Sequence, residues 1–156
     1  MNRHAGQRPS QARDHIYGRE SKIAEQPFDH RPGSQRLPPH LVGLYPDTAT
    51  FIGVCANEAS RDLLQAVVAG MKTVEGLPVE YIAVPGRGEM LYEVRLSDHS
   101  SFWDRDYPAL MVTDTSFFRN PHYHQRTDTP DTLHYPFLAA VTAGVHEAVG
   151  RLIGGA

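Results

Sequence analysis

The run "ATFIGVCAN" (Ala49–Asn57) constrains this chain more than any other stretch. It is apolar and β-branched, too short for a buried helix, and a polar residue and a helical repeat follow it at once. Asn57 suits a helix N-cap, with Glu58 and Asp62 near the positive helix end. Leu63, Leu64, Val67, Val68 and Met71 then recur at helical spacing until "GLP" breaks the pattern. Two further strand-like runs follow, "VEYIAVPG" (Val79–Gly86) and "ALMVTDT" (Ala109–Thr115). A last helix opens at Pro136 and shows Phe137, Ala140, Val141, Gly144, Val145, Ala148, Val149 and Leu152 along one face. This order predicts an α/β fold, with helices on a mostly parallel sheet and ligand sites beyond the carboxyl ends of its strands.

With 156 residues the chain suits one domain with a sizeable core. A net charge of −3 gives no basic footprint for nucleic acid. The single cysteine, Cys55, sits in an apolar run, which excludes a disulfide framework and a thiolate metal cage and predicts a buried, inert thiol. No apolar stretch is expected to approach the roughly 20 residues that span a bilayer. No secretory h-region opens the sequence, so the default address is cytoplasmic. Residues 1–26 are polar and arginine-rich and predict a disordered or poorly packed leader. Residues 27–46 carry five prolines and predict an irregular loop ordered by docking. "GRGEM" lacks the rest of any dinucleotide fingerprint and reads as a turn.

The chemistry gathers in "FFRNPHYHQRTDTPDTLHYP" (Phe117–Pro136), which crowds three histidines, two aspartates and three prolines into one polar loop. His124 suits a metal ligand, because imidazole is a common donor and Pro121, Asp128 and Asp131 offer rigidity and hydrogen-bond acceptors. The plainer reading is a loop histidine bonded to a neighbouring aspartate. Tyr123 could aim its hydroxyl at a developing oxyanion, or simply be a half-buried loop tyrosine. "SDH" (Ser97–His99) pairs a carboxylate with an imidazole, yet no nucleophile elbow exists for a serine triad, so local bonding at a loop entrance is the default. Asp128 and Asp131 suit bracing the loop or capping a turn. His30, His40, His134 and His146 have no partners at ligand spacing.

Taken together, Ser97-Asp98-His99, Phe102, Tyr107-Pro108-Ala109 and Tyr123-His124-Gln125-Arg126-Thr127-Asp128-Thr129, with "RPGSQRLPPHL" upstream, give a pattern. From about Arg31 to Leu152 it resembles the C-terminal half of the two-zinc aminopeptidase family, the bacterial leucine aminopeptidase-like metallopeptidases. The resemblance implies part of a phosphorylase/hydrolase-like three-layer fold over residues 27–156. It implies that His124 is the last zinc ligand, that Tyr123 stabilises the tetrahedral intermediate, and that Asp98, with His99, lies just outside the metals. Asp128 would brace the ligand loop.

The family also uses an H-x-D motif, a Glu-Glu pair whose first member is the general base, and a further carboxylate. This sequence has no Glu-Glu and no convincing H-x-D, and the surroundings of Glu25 match poorly. The expectation is therefore a truncated zinc-dependent aminopeptidase-like hydrolase, lacking its N-terminal half and inactive alone, because one histidine cannot hold a catalytic zinc. Its partners would be a peptide substrate in the intact family and the missing half or a second copy. Two alternatives stand beside it. One is a non-catalytic interaction module with a degenerate site. The other is a glutaminyl cyclase-like remnant, against which Ser97 and Tyr123 argue.

Overall fold

The structure is a computed structural model, and it describes residues 28–154. The expected leader and Glu25 lie outside those residues. Three strands and three helices follow in the order β1 (Ile52–Asn57), α1 (Arg61–Met71), β2 (Val79–Val84), α2 (His99–Trp103), β3 (Leu110–Thr113) and α3 (Tyr135–Gly154). Each expected strand is present, shorter by a few residues. The short helix α2, which begins at the histidine of "SDH", was not foreseen.

The sheet order is β2-β1-β3. β1 and β2 run parallel, from Ile52 opposite Val79 to Asn57 opposite Val84. β3 runs antiparallel to β1, with Gly53 opposite Thr113 and Ala56 opposite Leu110. The sheet is thus mixed rather than mostly parallel. The correction matters for the loops: the histidine loop leaves β3 beside the amino end of β1, whereas "SDH" precedes β3 near the carboxyl ends of β1 and β2.

Alternation along the strands sorts the core into two layers. Ile52, Val54, Ala56 and Val79 face Leu64, Val67, Val68 and Met71 of α1 and Ala148 of α3. Burial of one such side chain contributes roughly 1.5–3 kcal/mol. The helices cross where both lack bulk. A Cβ on Gly70 would lie 2.5 Å from the Ala148 Cα, and one on Gly144 would lie 2.8 Å from Leu77. Ahead of α1, the Asn57 side chain accepts from the Ser60 amide at 3.1 Å and the Ser60 hydroxyl at 2.6 Å, so the expected cap sits on the 3-10 turn Glu58–Ser60 that leads into the helix.

The other sheet face carries a smaller cluster of Val84, Leu91, Val94 and Trp103, with Leu41, Cys55 and Ile82 packed on it. Trp103 is buried and its indole donates to the Ala109 carbonyl at 2.9 Å. The glycine turn serves this cluster. Gly88 has φ +82°, and a Cβ there would press within 3.3 Å of Val94, Trp103 and Val84. Packing, not phosphate binding, accounts for that glycine.

Twenty residues long, α3 is apolar enough to cross a bilayer by length and composition alone, contrary to the expectation that no stretch approaches that size. One side of it, through Gly144 and Ala148, packs on α1, while Leu138, Val149, Leu152 and Ile153 stay exposed.

Candidate functional site

The histidine loop begins with two residues in left-handed backbone, Thr115 (φ +71°) and Ser116 (φ +41°). The Asp114 carboxylate accepts from the Ser116 amide at 2.9 Å, and the Thr113 hydroxyl accepts from the Thr115 amide at 2.9 Å, which holds the reversal. A 3-10 turn over Ser116–Phe118 leads to Asn120, which is buried. Its side chain accepts from the His122 amide at 2.8 Å and donates to Asp128 at 3.4 Å, so one amide ties both limbs of the loop together. The Asp128 amide in turn donates to the Gln125 carbonyl at 3.1 Å.

Arg119, unremarked in the sequence, fastens this loop to the proline-rich segment. Its guanidinium donates to the Gln35 side-chain oxygen at 2.9 and 2.7 Å and to the Phe51 carbonyl at 2.8 Å, and it stacks 4.8 Å above the Phe51 ring. Burial lowers its pKa to about 10. Gln35 also accepts from the Thr115 hydroxyl at 3.0 Å, and Arg36 donates to the carbonyls of Phe117 and Phe118. These partners stand some eighty positions apart in the chain, and no local pattern announces them.

His124 sits at the tip of the loop at φ +59°, with its ring stacked 4.0 Å from that of Tyr123. It is exposed, and neither ring nitrogen bonds a described residue, so the aspartate-bonded alternative is not what the fold contains. Tyr123 is half-buried. Both residues line an apolar groove of about 540 Å³ on the sheet face opposite α1 and α3. Cys55, Ile82 and Met111 form its floor, and Phe117, Leu41, Leu96 and Ser97 are among its walls. Burial pushes the Cys55 thiol up to about 11, which keeps it a thiol at neutral pH.

The other expected residues stand apart from the groove. Asp98 is exposed at the start of α2, and its side chain caps nothing. His99 is buried in the smaller cluster, with Nε2 2.6 Å from the Val94 carbonyl and the ring edge-on to Trp103. Burial depresses its pKa, which the Val94 bond only partly offsets. Asp128 braces Asn120. Asp131 is held below its usual carboxylate range by the Thr129 side chain and lies within the 3-10 turn Pro130–Thr132. His122 bonds Thr127 through Nδ1 at 2.9 Å, and its Nε2 is enclosed without a partner.

The sequence pattern of Peptidase family M28 matches residues 47–149, about two thirds of the chain. The chain belongs to peptidase family M28. Members of that family are zinc-dependent aminopeptidases. The uncharacterized protein YfbL of Escherichia coli (strain K12) is 38% identical over 119 residues, covering 76% of this chain and 36% of that protein. The chain thus spans about a third of that relative's length. No solved structure gives a significant match.

Membership of M28 sets a test for zinc. A zinc peptidase site takes about three protein donors and an open position. Among the described residues no group of three or more His, Cys, Asp or Glu side chains is placed to hold a metal. His124 is a suitable single donor, free and raised on a braced loop. The described residues by themselves do not make a zinc site.

Proposed function

We propose that this chain contributes one imidazole and one wall of a zinc aminopeptidase-like active site whose remaining metal donors lie outside residues 28–154. The observation that carries the proposal is His124: an exposed imidazole whose nitrogens bond no described residue, stacked on Tyr123, on a hydrogen-bonded loop at an apolar groove. In this reading His124 is a zinc ligand, Tyr123 donates its hydroxyl to an oxyanion, and the groove receives an apolar part of a peptide. Asn120 and Asp128 fix the loop that carries them. A third layer of the fold would be completed by polypeptide outside residues 28–154. No turnover is assigned to residues 28–154, because among the described residues no group of three or more possible donors is placed to hold a metal.

The test is zinc content by mass spectrometry together with hydrolysis of leucyl-p-nitroanilide by the purified chain. We expect fewer than one tightly bound zinc per chain and no release of leucine. Robust chelator-sensitive turnover that survives in His124→Ala would overturn the proposal.

A second reading, a non-catalytic interaction module, is favoured by the outer face of α3, where Ile153 is 81% exposed beside Leu152 and Val149. Sedimentation of the same sample separates the two readings: a module that self-associates sediments above the mass of one chain.

A further inference from the structure

A second cavity, of about 390 Å³, lies under the proline-rich segment and is walled by Asp29, residues 31–34, Arg36, Arg119 and Pro121. We propose that it binds a small oxyanion, a carboxylate or a phosphate group, held by Arg119 and Arg36.

Charge makes the first part of the argument. Three guanidiniums line the cavity, the Asp47 carboxylate accepts from the lining Gly33 amide at 3.3 Å, and one carboxylate stands in the wall itself. That carboxylate, Asp29, is engaged: it accepts from the Arg31 Nε at 2.7 Å and the Arg31 amide at 2.8 Å. Arg119 is 5% exposed, and its bonds go to neutral oxygens of Gln35 and Phe51. No carboxylate of the described residues lies within ion-pair reach of it, and Asp114 acts only from a distance. A guanidinium carries five N–H donors, of which these bonds use three. A buried cation left with neutral partners is costly, and proteins ordinarily pair such a group.

Geometry makes the second part. Arg36 also bonds only backbone carbonyls, those of Phe117 and Phe118, and it lines the same cavity. Arg36 spends its Nε and Nη2 on those carbonyls, which leaves its Nη1, together with the two unused N–H groups of Arg119, as donors for an oxyanion. None of this rests on the zinc reading, since neither His124 nor Tyr123 lines this cavity.

The experiment titrates inorganic phosphate, and separately succinate, into the ¹⁵N-labelled full chain at ionic strength fixed with sodium chloride. It follows the arginine Nε–H signals and the amides of Gly33 and Ser34. We expect saturable one-site shifts at Arg119, Arg36, Gly33 and Ser34. Binding should weaken about tenfold in Arg36→Gln and stay unchanged in Arg61→Gln, a remote control. Saturation by phosphate alone assigns a phosphate ligand, by succinate alone a carboxylate, and by both a shared oxyanion site. Linear shifts equal to those from chloride, shifts centred elsewhere, or an Arg36→Gln chain that binds undiminished would overturn the inference. Should Arg36→Gln fail to fold, the wild-type Nε titration decides by itself.

Discussion

The two faces of the sheet are built by different means. Toward α1 and α3 the chain packs apolar side chains of neighbouring elements so closely that Gly70 has no room for a methyl group. On the other face a proline-rich segment and the histidine loop meet across an apolar groove. There the ties are polar and long-range: Arg119 to Gln35 and Phe51, Arg36 to Phe117 and Phe118, and Thr115 to Gln35. The difference teaches where each kind of stability resides. Helical and strand periodicity builds the first face and holds the fold. The second face has a smaller apolar cluster around Trp103, and directed hydrogen bonds hold its loops and present the chemistry, since hydrogen bonds fix orientation in a way that apolar burial does not.

Three measurements sharpen or break that contrast. The largest effect belongs to the packed face. Leu64, 1% exposed, when changed to alanine should lower unfolding free energy in urea by about 2–5 kcal/mol. A loss of only a few tenths would mean that α1 is not the keystone of the core.

Next comes Arg119→Met, which removes the side-chain donor from the Phe51 carbonyl and leaves the Gln35 oxygen with the Thr115 hydroxyl alone. The expected loss is about 1–3 kcal/mol. Amide exchange should quicken in residues 116–132 while α1 stays protected. Equal loss of protection in both would erase the distinction between the two faces.

The smallest effect is set by pH. His99 has its folded pKa depressed by burial, so the native state resists the proton that the unfolded chain accepts below about 6.5. Its contribution is complete above that pH and falls away as the solution is acidified toward the lower folded value. Urea midpoints at pH 7.5 and 5.5 should therefore diverge in the wild type and converge partly in His99→Phe. Identical pH dependence in both proteins would show that this imidazole is not the group responsible.

Much of the packed face was legible in the residues. The strand Ala49–Asn57, its Asn57 cap and the α1 face of Leu64, Val67, Val68 and Met71 follow from local patterns, and they appear with edges moved by a few positions. The direction of β3 was not legible. A run such as "ALMVTDT" pairs equally well in either sense, and its long connection from β2 sets no direction by pattern. The length of α3 as an apolar helix was also underestimated, because its small residues dilute an otherwise continuous apolar stretch. In the candidate site, Tyr123 and His124 were read from the motif, and the fold brings them to one groove. His99 was named as a neighbour of the site, whereas its ring is committed to Val94 and Trp103. Arg119 and Gln35 carried no signal, since neither belongs to a periodic run and their partners lie far along the chain.

By itself the sequence determined the strand and helix segments, the caps and turns, and the residue types available to grip a metal or donate a proton. Those depend on contacts within a few positions, which side-chain spacing records directly. Only the tertiary structure decided that β3 turns back against β1, that a buried arginine ties two distant loops, and that one polar cavity gathers three guanidiniums around an engaged carboxylate. Each of those arises between residues many positions apart. Their meeting is fixed by which surfaces can be buried together, and a one-dimensional pattern does not encode that choice locally.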